Sequence, residues 1–304
     1  MTNNASLSDL REQRAVRSLR GLSIGDAFGE RFFVHPDAVE ELIARRVVAT
    51  GPWRFTDDTQ MALSVFETLR RCGTVDQDAL AHSFARRYDA SRGYGPAMHG
   101  LLARIDSGEP WRVVARSLFG GSGSYGNGSA MRVVPLGAYF ADDLDAVVRE
   151  AEHSAMVTHA HPEAVAGAIA VAVGAAIATR GLDDSGDFLN QVAAHVPESA
   201  VRTGLRRAVH LLPALSPPDA ATLLGNGSHV SCPDTVPFAL WCAAHHLDDF
   251  AKALWATVAG LGDRDTTCAI VGGIVACSAP LSTIPASWQE ATEPLPLWAL
   301  CDLP

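Results

Sequence analysis

The chain has 304 residues and a formal net charge of −10, and 48% of its residues are hydrophobic. That length can bury a large core without disulfides, and it is compatible with one domain or two. The negative charge argues against a nucleic-acid groove and against binding to an anionic membrane surface. The six cysteines form no CxxC pair, and residues 1–20 contain no apolar stretch, so we expect reduced thiols, no signal peptide and a cytoplasmic location.

Almost all of the periodic sequence is helical, and strand patterns are nearly absent. The sequence predicts helices near residues 10–29, 57–72, 76–90, 95–106, 111–119, 128–140, 143–157, 162–180, 187–195, 199–212, 218–224, 234–246, 248–260 and 265–277. The apolar run 164–179 is too short and too weakly hydrophobic for a membrane span, so we expect a helix buried on all sides. The proline-rich stretch 280–304 is expected to follow the surface as irregular chain. The simplest architecture is one compact all-α domain over residues 1–304.

The first helix carries Gly21, Gly25 and Gly29 at four-residue spacing, which places them on one face. Glycine destabilises a helix by roughly 1 kcal/mol per position. Three glycines on one face therefore predict the close approach of another backbone or of a ligand. Asp26 lies beside that face, and we expect its carboxylate to be either a hydrogen-bond acceptor in helix packing or a site residue.

Two acid clusters, Thr56-Asp57-Asp58-Thr59 and Asp263-Arg264-Asp265-Thr266, each precede an apolar helical run. Each alone is explained as an N-cap, since hydroxyls and carboxylates accept hydrogen bonds from free N–H groups at the start of a helix. Two such dense caps favour one site built on two helix N-termini. Carboxylate and hydroxyl oxygens suit Mg²⁺ or Mn²⁺ rather than zinc. The sequence therefore predicts a two-metal site, provided that the fold brings the clusters together.

A glycine-rich segment runs from Phe119 to Arg132, with five glycines between residues 120 and 128. Such a segment lets backbone N–H groups approach a phosphate, and a helix beginning after Gly128 would face that ligand. It is neither a Walker loop nor a Rossmann turn, because no Gly-Lys-Ser/Thr follows and no strand precedes it. The alternative is a flexible loop. Phe119 and Tyr125 are expected either to stack on a base or to anchor the loop in the core.

Two further motifs favour simpler roles. In Thr158-His159-Ala160-His161-Pro162 no third soft ligand accompanies the histidines, so a single histidine projecting into a pocket is better supported than a zinc site. Pro162 is expected to open the next helix. The stretch from Gly225 to Trp241 is adequately explained by a loop followed by a buried helix.

Taken together, these motifs resemble the ADP-ribosylglycohydrolase family, which includes the ADP-ribosyl-acceptor hydrolases and dinitrogenase-reductase-activating glycohydrolase. The matching segments follow the family's order and cover residues 20–277. They are Gly25-Asp26-Ala27-Phe28-Gly29, Thr56-Asp57-Asp58-Thr59, the glycine-rich segment 123–132, Thr158-His159-Ala160-His161-Pro162, Val236-Pro237-Phe238-Ala239-Leu240-Trp241 and Asp263-Arg264-Asp265-Thr266. Each segment alone is a weak signal, whereas six in order are specific.

The resemblance implies an all-α, orthogonal helical bundle with a centre of two Mg²⁺ (or Mn²⁺) ions. It implies that the ions are bound by Thr56, Asp57, Asp58, Asp263, Asp265 and Thr266. It also implies that ADP-ribose is bound by Asp26, Phe119, Gly123, Ser124, Tyr125, Gly126, Asn127, Gly128 and His159. Within that set, the loop would hold the diphosphate and ribose, Phe119 and Tyr125 would bracket adenine, and His159 would lie against the distal ribose.

The chain departs from the family's pattern at two positions. Many members carry Glu four residues after the second glycine of the first motif, where this chain has Phe33. Glu30, directly after Gly29, either substitutes for that residue or the entrance to the site differs. Arg264 stands where a small residue is usual, and it points either at the substrate or outward. Both departures affect the expected specificity for the leaving group more than they affect the expected ADP-ribose pocket.

The implied activity is hydrolysis at C1″ of ADP-ribose, which removes ADP-ribose from a modified protein side chain or a small molecule. Asp58 and Asp265 are the candidates for taking a proton from the attacking water, and Glu30 is the candidate for protonating the leaving group. Two alternatives are an ADP-ribose-binding module without turnover and a metallohydrolase of another nucleoside-diphosphate sugar. The acceptor, the choice of ion and the oligomeric state are left open by the residues.

Overall fold

The computed structural model describes residues 6–181, 187–211 and 215–300, and the predicted all-α class is confirmed. Within these residues the chain forms seventeen α-helices and no strand. In chain order they are α1 (Leu7–Glu30), α2 (Pro36–Ala44), α3 (Asp57–Cys72), α4 (Gln77–Arg86), α5 (Pro96–Asp106), α6 (Trp111–Ser117), α7 (Val134–Tyr139), α8 (Leu144–Met156), α9 (Pro162–Arg180), α10 (Phe188–His195), α11 (Ala200–Val209), α12 (Pro217–Leu224), α13 (Cys232–His245), α14 (Phe250–Val258), α15 (Arg264–Ser278), α16 (Ala286–Ala291) and α17 (Leu297–Leu300).

Three of the predictions about where helices lie are wrong. Helix α2 was missed, although His35 caps it and Pro36 opens it at the first helical position. The helix expected over 128–140 begins only at Val134, after a 3₁₀ turn over Asn127–Ser129. The stretch 280–304, expected to be irregular, contains α16 and α17, while residues 301–304 lie outside the described chain.

Helix α9 lies in the core, as predicted. The reason given for that prediction was wrong, however, because the run 164–179 belongs to a 19-residue helix that is, within the described ranges, the one long and apolar enough to cross a membrane. Of its most apolar window, 78% is buried inside the protein. It packs against α7, α8, α10, α13 and α15. Its alanines and glycines allow these neighbours to approach from all sides, because small side chains leave room for close helix packing.

The glycine face of α1 packs directly on the backbone of α15. A methyl group built on Gly25 would lie 2.1 Å from the Cys268 carbonyl oxygen, and one on Gly29 would lie 2.2 Å from the Arg264 carbonyl oxygen. At Gly21 the corresponding distance to the Gly272 carbonyl oxygen is 2.5 Å. The close approach predicted from the spacing is therefore to a second helix backbone, which places Asp26 beside the start of α15.

The segment that follows α16 is tied to the start of the first acid cluster. Trp53 N donates to the Ala291 carbonyl at 2.7 Å, and Glu293 N donates to the Trp53 carbonyl at 2.9 Å. The Arg92 guanidinium forms two 2.8 Å bonds to the Glu293 carboxylate, and it also donates to the Phe55 carbonyl. The Arg92–Glu293 pair thus connects the C-terminal segment to the residues just before Thr56.

We expect Glu293→Gln to lower the free energy of unfolding at pH 7 by about 1–2 kcal/mol, because charge-assisted hydrogen bonds to Arg92 are lost. Those bonds lower the pKa of Glu293. The stability that they provide is present above the unfolded pKa and is lost as pH falls through the folded pKa. Urea unfolding should therefore separate the variant from the wild type at pH 7 and bring them together near pH 3 and below.

Glu290→Gln is the matched control, since Glu290 is exposed on the same segment and has no ion pair within the described residues. We expect it to change stability by less than about 0.5 kcal/mol at either pH. A difference between Glu293→Gln and the wild type that persists undiminished at pH 3 would contradict the ion pair as its cause.

Candidate functional site

A cavity of about 670 Å³ is lined by residues of both acid clusters and of the glycine-rich segment. Its walls include twelve of the residues singled out in the sequence: Asp57, Asp58, Phe119, Ser124, Tyr125, Gly126, Asn127, Gly128, His159, Asp263, Asp265 and Thr266. A larger cavity of about 790 Å³ lies between α1 and the C-terminal segment, but its walls contain none of these residues. The smaller cavity is therefore the candidate site.

Asp26 holds the first acid cluster in place from behind. Its buried carboxylate accepts bonds from Thr56 N at 3.0 and 3.1 Å, from Thr56 Oγ1 at 2.8 Å, and from the amide and hydroxyl of Thr59 at 3.1 and 2.5 Å. Asp26 thus binds the N-terminus of α3 and fixes the orientation of Asp57 and Asp58. It does not lie on the cavity wall, and Thr56 also lies behind the wall, with its hydroxyl directed at Asp26 and Asp58.

The second acid cluster is positioned by the Gly225-Asn226-Gly227 turn. Asp263 N donates to the Asn226 carbonyl at 3.0 Å, and a methyl on Gly227 would lie 2.5 Å from Asp263 Cβ. Asn127 Nδ2 donates to Asp263 Oδ2 at 2.6 Å and to Thr235 Oγ1 at 3.0 Å. The motif that sequence reasoning explained as an ordinary loop therefore supports the site, and Asn127 ties the glycine-rich segment to the acids.

Arg264 faces away from the cavity. Its guanidinium donates to the Phe32 carbonyl at 2.5 Å and lies 4.6 Å from the centre of the Phe33 ring. The residue thus packs against the end of α1, although its charge still interacts with those of Asp265 and Asp263. Glu30, also at the end of α1, is off the cavity wall, but its charge interacts with those of Asp57 and Asp263.

Asp57 and Asp58 are buried, Asp263 and Asp265 are half-buried, and none of the four forms an ion pair in the described chain. Burial, together with the neighbouring carboxylates, raises the pKa of Asp57 to about 7 and raises the pKa of Asp58 and of Asp265 well above the usual range. No described lysine or arginine lines the cavity. Asp58 Oδ1 and Asp265 Oδ1 are buried with no hydrogen-bond partner in the described chain. Each of these oxygens therefore has its acceptor capacity free.

This set of donors fits a hard divalent cation. Within residues 6–181, 187–211 and 215–300, no three His, Cys, Asp or Glu side chains already surround one ion position. Mg²⁺ usually takes one or two carboxylates and keeps several waters, so it does not require a preformed carboxylate cage. The free oxygens of Asp58 and Asp265, with the hydroxyl of Thr266 on the same wall, satisfy that requirement.

The glycine-rich segment is held by close contacts, which argues against a freely flexible loop. A methyl on Gly123 would lie 2.9 Å from His161 N, and methyls on Gly126 and Gly128 would lie 3.3 and 2.9 Å from His159 Nε2. Asn127 N donates to the Val230 carbonyl, and Cys232 N donates to the Tyr125 carbonyl. The glycines therefore allow the backbone to lie against the His159 ring.

The two histidines of the Thr158–Pro162 motif have different positions. His159 is buried on the cavity wall, and its Nδ1 lies 2.6 Å from Thr158 Oγ1. His161 caps α9 by accepting from Glu163 N, and its ring contacts the Tyr125 ring with a 5.4 Å separation between centroids. The sequence prediction of one histidine in a pocket thus corresponds to His159, and Pro162 opens α9 as expected.

Phe119 and Tyr125 are 61% and 48% exposed, although both line the cavity. Phe119 has a positive φ of 50°, a backbone conformation that is uncommon for a bulky residue. Both rings are therefore available to a ligand at the mouth of the cavity, and neither anchors the loop in the core.

Several wall residues were missed by sequence reasoning. They are Met61, Gly93, Gly95, Pro96, Ala97, Met98, Leu118, Met131, His229 and Val230. The Gly-Tyr-Gly-Pro run before α5 was the available signal, because glycines before a helix start also permit close approach of a ligand. Val230 gave no such signal, since a valine at a positive φ of 50° is not expected from sequence. Of the residues proposed for the site, Asp26, Glu30, Thr56 and Gly123 lie off the wall.

The fold and cavity define an all-α protein with an acid-lined cavity, and comparisons with known proteins identify its family and fold. The sequence profile of the ADP-ribosylglycohydrolase family matches residues 7–303. Human ADP-ribosylhydrolase ARH3 is 27% identical, with 90% of this chain and 88% of the relative covered. An uncharacterised protein of Archaeoglobus fulgidus is 29% identical, with coverage of 93% and 92%.

A solved structure shows the same fold. An ADP-ribosylglycohydrolase-related protein complex superposes with a TM-score of 0.68 at 25% identity, covering 95% of this chain and 94% of that chain. The chain belongs to the ADP-ribosylglycohydrolase family, as the resemblance of its motifs indicated.

Proposed function

We propose that the protein hydrolyses the glycosidic bond at C1″ of ADP-ribose and so removes ADP-ribose from a modified protein side chain or small molecule. The observation that carries this proposal is the single cavity shared by both acid clusters and the glycine-rich segment. Its volume lies within the range of small-molecule sites. Membership of the family, and the relatives named as ADP-ribosylhydrolases, favour this chemistry over the other nucleoside-diphosphate sugars.

The proposed cofactors are two Mg²⁺ (or Mn²⁺) ions, held by Thr56, Asp57, Asp58, Asp263, Asp265 and Thr266. The free carboxylate oxygens and the absence of a balancing cation on the described walls support them. Bound cations would neutralise the acids and supply Lewis-acid chemistry at the ribose. Asp26 contributes indirectly, because it fixes the N-terminus of α3 on which Asp57 and Asp58 stand.

Asp58 and Asp265 are the proposed acceptors of the proton of the attacking water. Both line the cavity, and each has a carboxylate oxygen with no hydrogen-bond partner in the described chain that could accept that proton. Glu30 is proposed to protonate the leaving group. Burial raises its pKa, which favours a protonated carboxyl able to donate.

The glycine-rich segment is proposed to bind the diphosphate and the adjacent ribose through residues 123–128. The described walls carry no lysine or arginine, so phosphate oxygens would be bound by backbone N–H groups, neutral side-chain donors or bound cations. The exposed rings of Phe119 and Tyr125 are proposed to bracket adenine, where flat apolar faces can stack on the base. His159 is proposed to lie against the distal ribose.

A substrate panel tests this function. Proteins carrying ADP-ribose on arginine or on serine, O-acetyl-ADP-ribose and poly-ADP-ribose would be incubated with Mg²⁺, Mn²⁺ or EDTA, and free ADP-ribose would be quantified. We expect release from at least one substrate with a divalent cation, and a loss of about 10²-fold or more in EDTA. Binding of ADP-ribose without release from any substrate would indicate a binding module, and hydrolysis of another nucleoside-diphosphate sugar alone would indicate a different hydrolase.

A further inference from the structure

Arg132 is fully buried and contacts no carboxylate in the described part of the chain. Its guanidinium donates to Thr158 Oγ1 at 2.9 Å and to the Ser154 carbonyl at 2.6 Å, and it lies 4.5 Å from the centre of the Phe84 ring. Burying a charge without a counter-ion is costly. The Thr158 hydroxyl that Arg132 contacts also contacts the ring of the next residue, His159. Arg132 therefore acts on His159 through Thr158.

The proton positions in this network follow from the groups themselves. Arginine can only donate, so Thr158 Oγ1 must accept from Arg132. Thr158 is fully buried, and the other partner of its hydroxyl within the described residues is His159 Nδ1, at 2.6 Å. The hydroxyl proton therefore goes to Nδ1, which acts as an acceptor. A neutral ring whose Nδ1 accepts carries its own proton on Nε2.

The ring is also kept neutral. Burial and the charge of Arg132 lower the pKa of His159 to about 3. The Nε2 edge of the ring lies along the glycine-rich segment, where methyls on Gly126 and Gly128 would come within 3.3 and 2.9 Å of Nε2. Nε2 has no hydrogen-bond partner in the described chain, and His159 lies on the cavity wall. Its N–H is therefore free to bind a ligand.

We propose that Arg132 and Thr158 are positioning residues that hold His159 as the Nε2–H tautomer, so that the ring presents a fixed hydrogen-bond donor to an acceptor oxygen of the ligand. The proposal rests on the proposed function in taking that ligand to be ADP-ribose, whose hydroxyl and phosphate oxygens accept hydrogen bonds. The opposite tautomer would turn a lone pair toward the cavity and would select a donor in its place. The network thus favours an oxygen that can accept a hydrogen bond, such as a phosphate oxygen, at this point of the wall.

Long-range ¹⁵N–¹H correlation spectra of the ligand-free, uniformly ¹⁵N-labelled protein test the tautomer directly. The His159 signals are assigned by their loss in His159→Gln. We expect an unprotonated Nδ1 and a protonated Nε2 in the wild type. Thr158→Val should allow the Nδ1–H form to appear, and Thr158→Ser, which keeps the hydroxyl, should restore the wild-type pattern. A role of Thr158 in packing alone would not move these signals.

Calorimetry with ADP-ribose measures the consequence. Thr158→Val should bind ADP-ribose about tenfold more weakly, as expected when one hydrogen bond to the ligand is lost, whereas Thr158→Ser should bind within about twofold of wild type. Thr257→Val is the control, since it removes an equally buried hydroxyl that bonds within its own helix, to Ala253 O at 2.7 Å. It should leave both the tautomer and the affinity unchanged.

The outcomes separate the inference from the proposed function. A wild-type His159 with its proton on Nδ1, or a folded Thr158→Val protein with an unchanged tautomer, overturns the inference. An unchanged affinity for ADP-ribose in Thr158→Val also overturns it. If the wild-type protein does not bind ADP-ribose at all, the proposed ligand is wrong. The ¹⁵N–¹H spectra of His159 are then the only test of whether Arg132 and Thr158 fix its tautomer.

Discussion

Asp265→Asn is expected to abolish turnover while leaving the protein folded. Asparagine has nearly the same shape, but it removes one negative charge and one carboxylate oxygen from the point where the acid clusters meet. Loss of a single electrostatic contact in an active site costs about 10²- to 10³-fold in rate, and loss of a cation should cost at least that much. Release of ADP-ribose from the best substrate of the panel is the measurement.

The same substitution should not destabilise the protein in EDTA. Asp265 is half-buried beside Asp263, and its charge also interacts with that of Asp58, so removing it relieves repulsion among neighbouring carboxylates. We expect the free energy of unfolding in EDTA to equal or exceed that of the wild type. Adding Mg²⁺ should then stabilise the wild type, because the ion binds the folded state, and should stabilise the variant less.

Asp248→Asn supplies the control, since Asp248 is exposed in the turn before α14. It should retain full turnover and the full response to Mg²⁺. Full activity of Asp265→Asn in chelator-treated buffer would remove Asp265 from the proposed centre, and equal stabilisation of all three proteins by Mg²⁺ would show that the ion binds elsewhere.

Twelve of the residues that line the candidate site could be found from the sequence, but the way in which they are held could not. Both acid clusters were recognisable because carboxylates and hydroxyls of this density precede helices. That they share a cavity followed from the resemblance of the motifs to a known family. More than 200 residues separate Thr59 from Asp263, and local sequence pattern gives no information on contacts over such a separation. The single-domain boundary and the cytoplasmic location remain predictions.

The supporting contacts were invisible because they depend on burial. Asp26 was ambiguous in the sequence, and its role emerged only when its carboxylate was found bound to the start of α3. Arg132 appeared in the sequence only as the end of the glycine-rich segment, within a helix expected over 128–140. It is instead fully buried beside Thr158, and the chain around it turns as a 3₁₀ segment before α7 begins. A fully buried cation is rare, and no local sequence pattern indicates one.

The packing of α1 on α15 should be the most sensitive feature of the fold. A methyl on Gly25 would lie 2.1 Å from the Cys268 carbonyl oxygen and 2.8 Å from its carbonyl carbon, and neither atom can turn aside as a flexible side chain would. Overpacking typically costs 1–3 kcal/mol and occasionally more. We expect Gly25→Ala to cost about 3 kcal/mol or more, measured by urea unfolding.

Gly100→Ala is the matched control, because Gly100 is exposed within α5 and a methyl there meets no atom within 4 Å. Here the same substitution should stabilise the protein by about 0.5–1 kcal/mol, since alanine restricts the unfolded chain and favours the helix. Gly25→Ala should also lose turnover in whatever fraction folds, because separating α1 from α15 moves Asp26, and with it the start of α3, away from Asp265. A Gly25→Ala protein as stable and as active as the wild type would mean that the two helices can part without disturbing the acids.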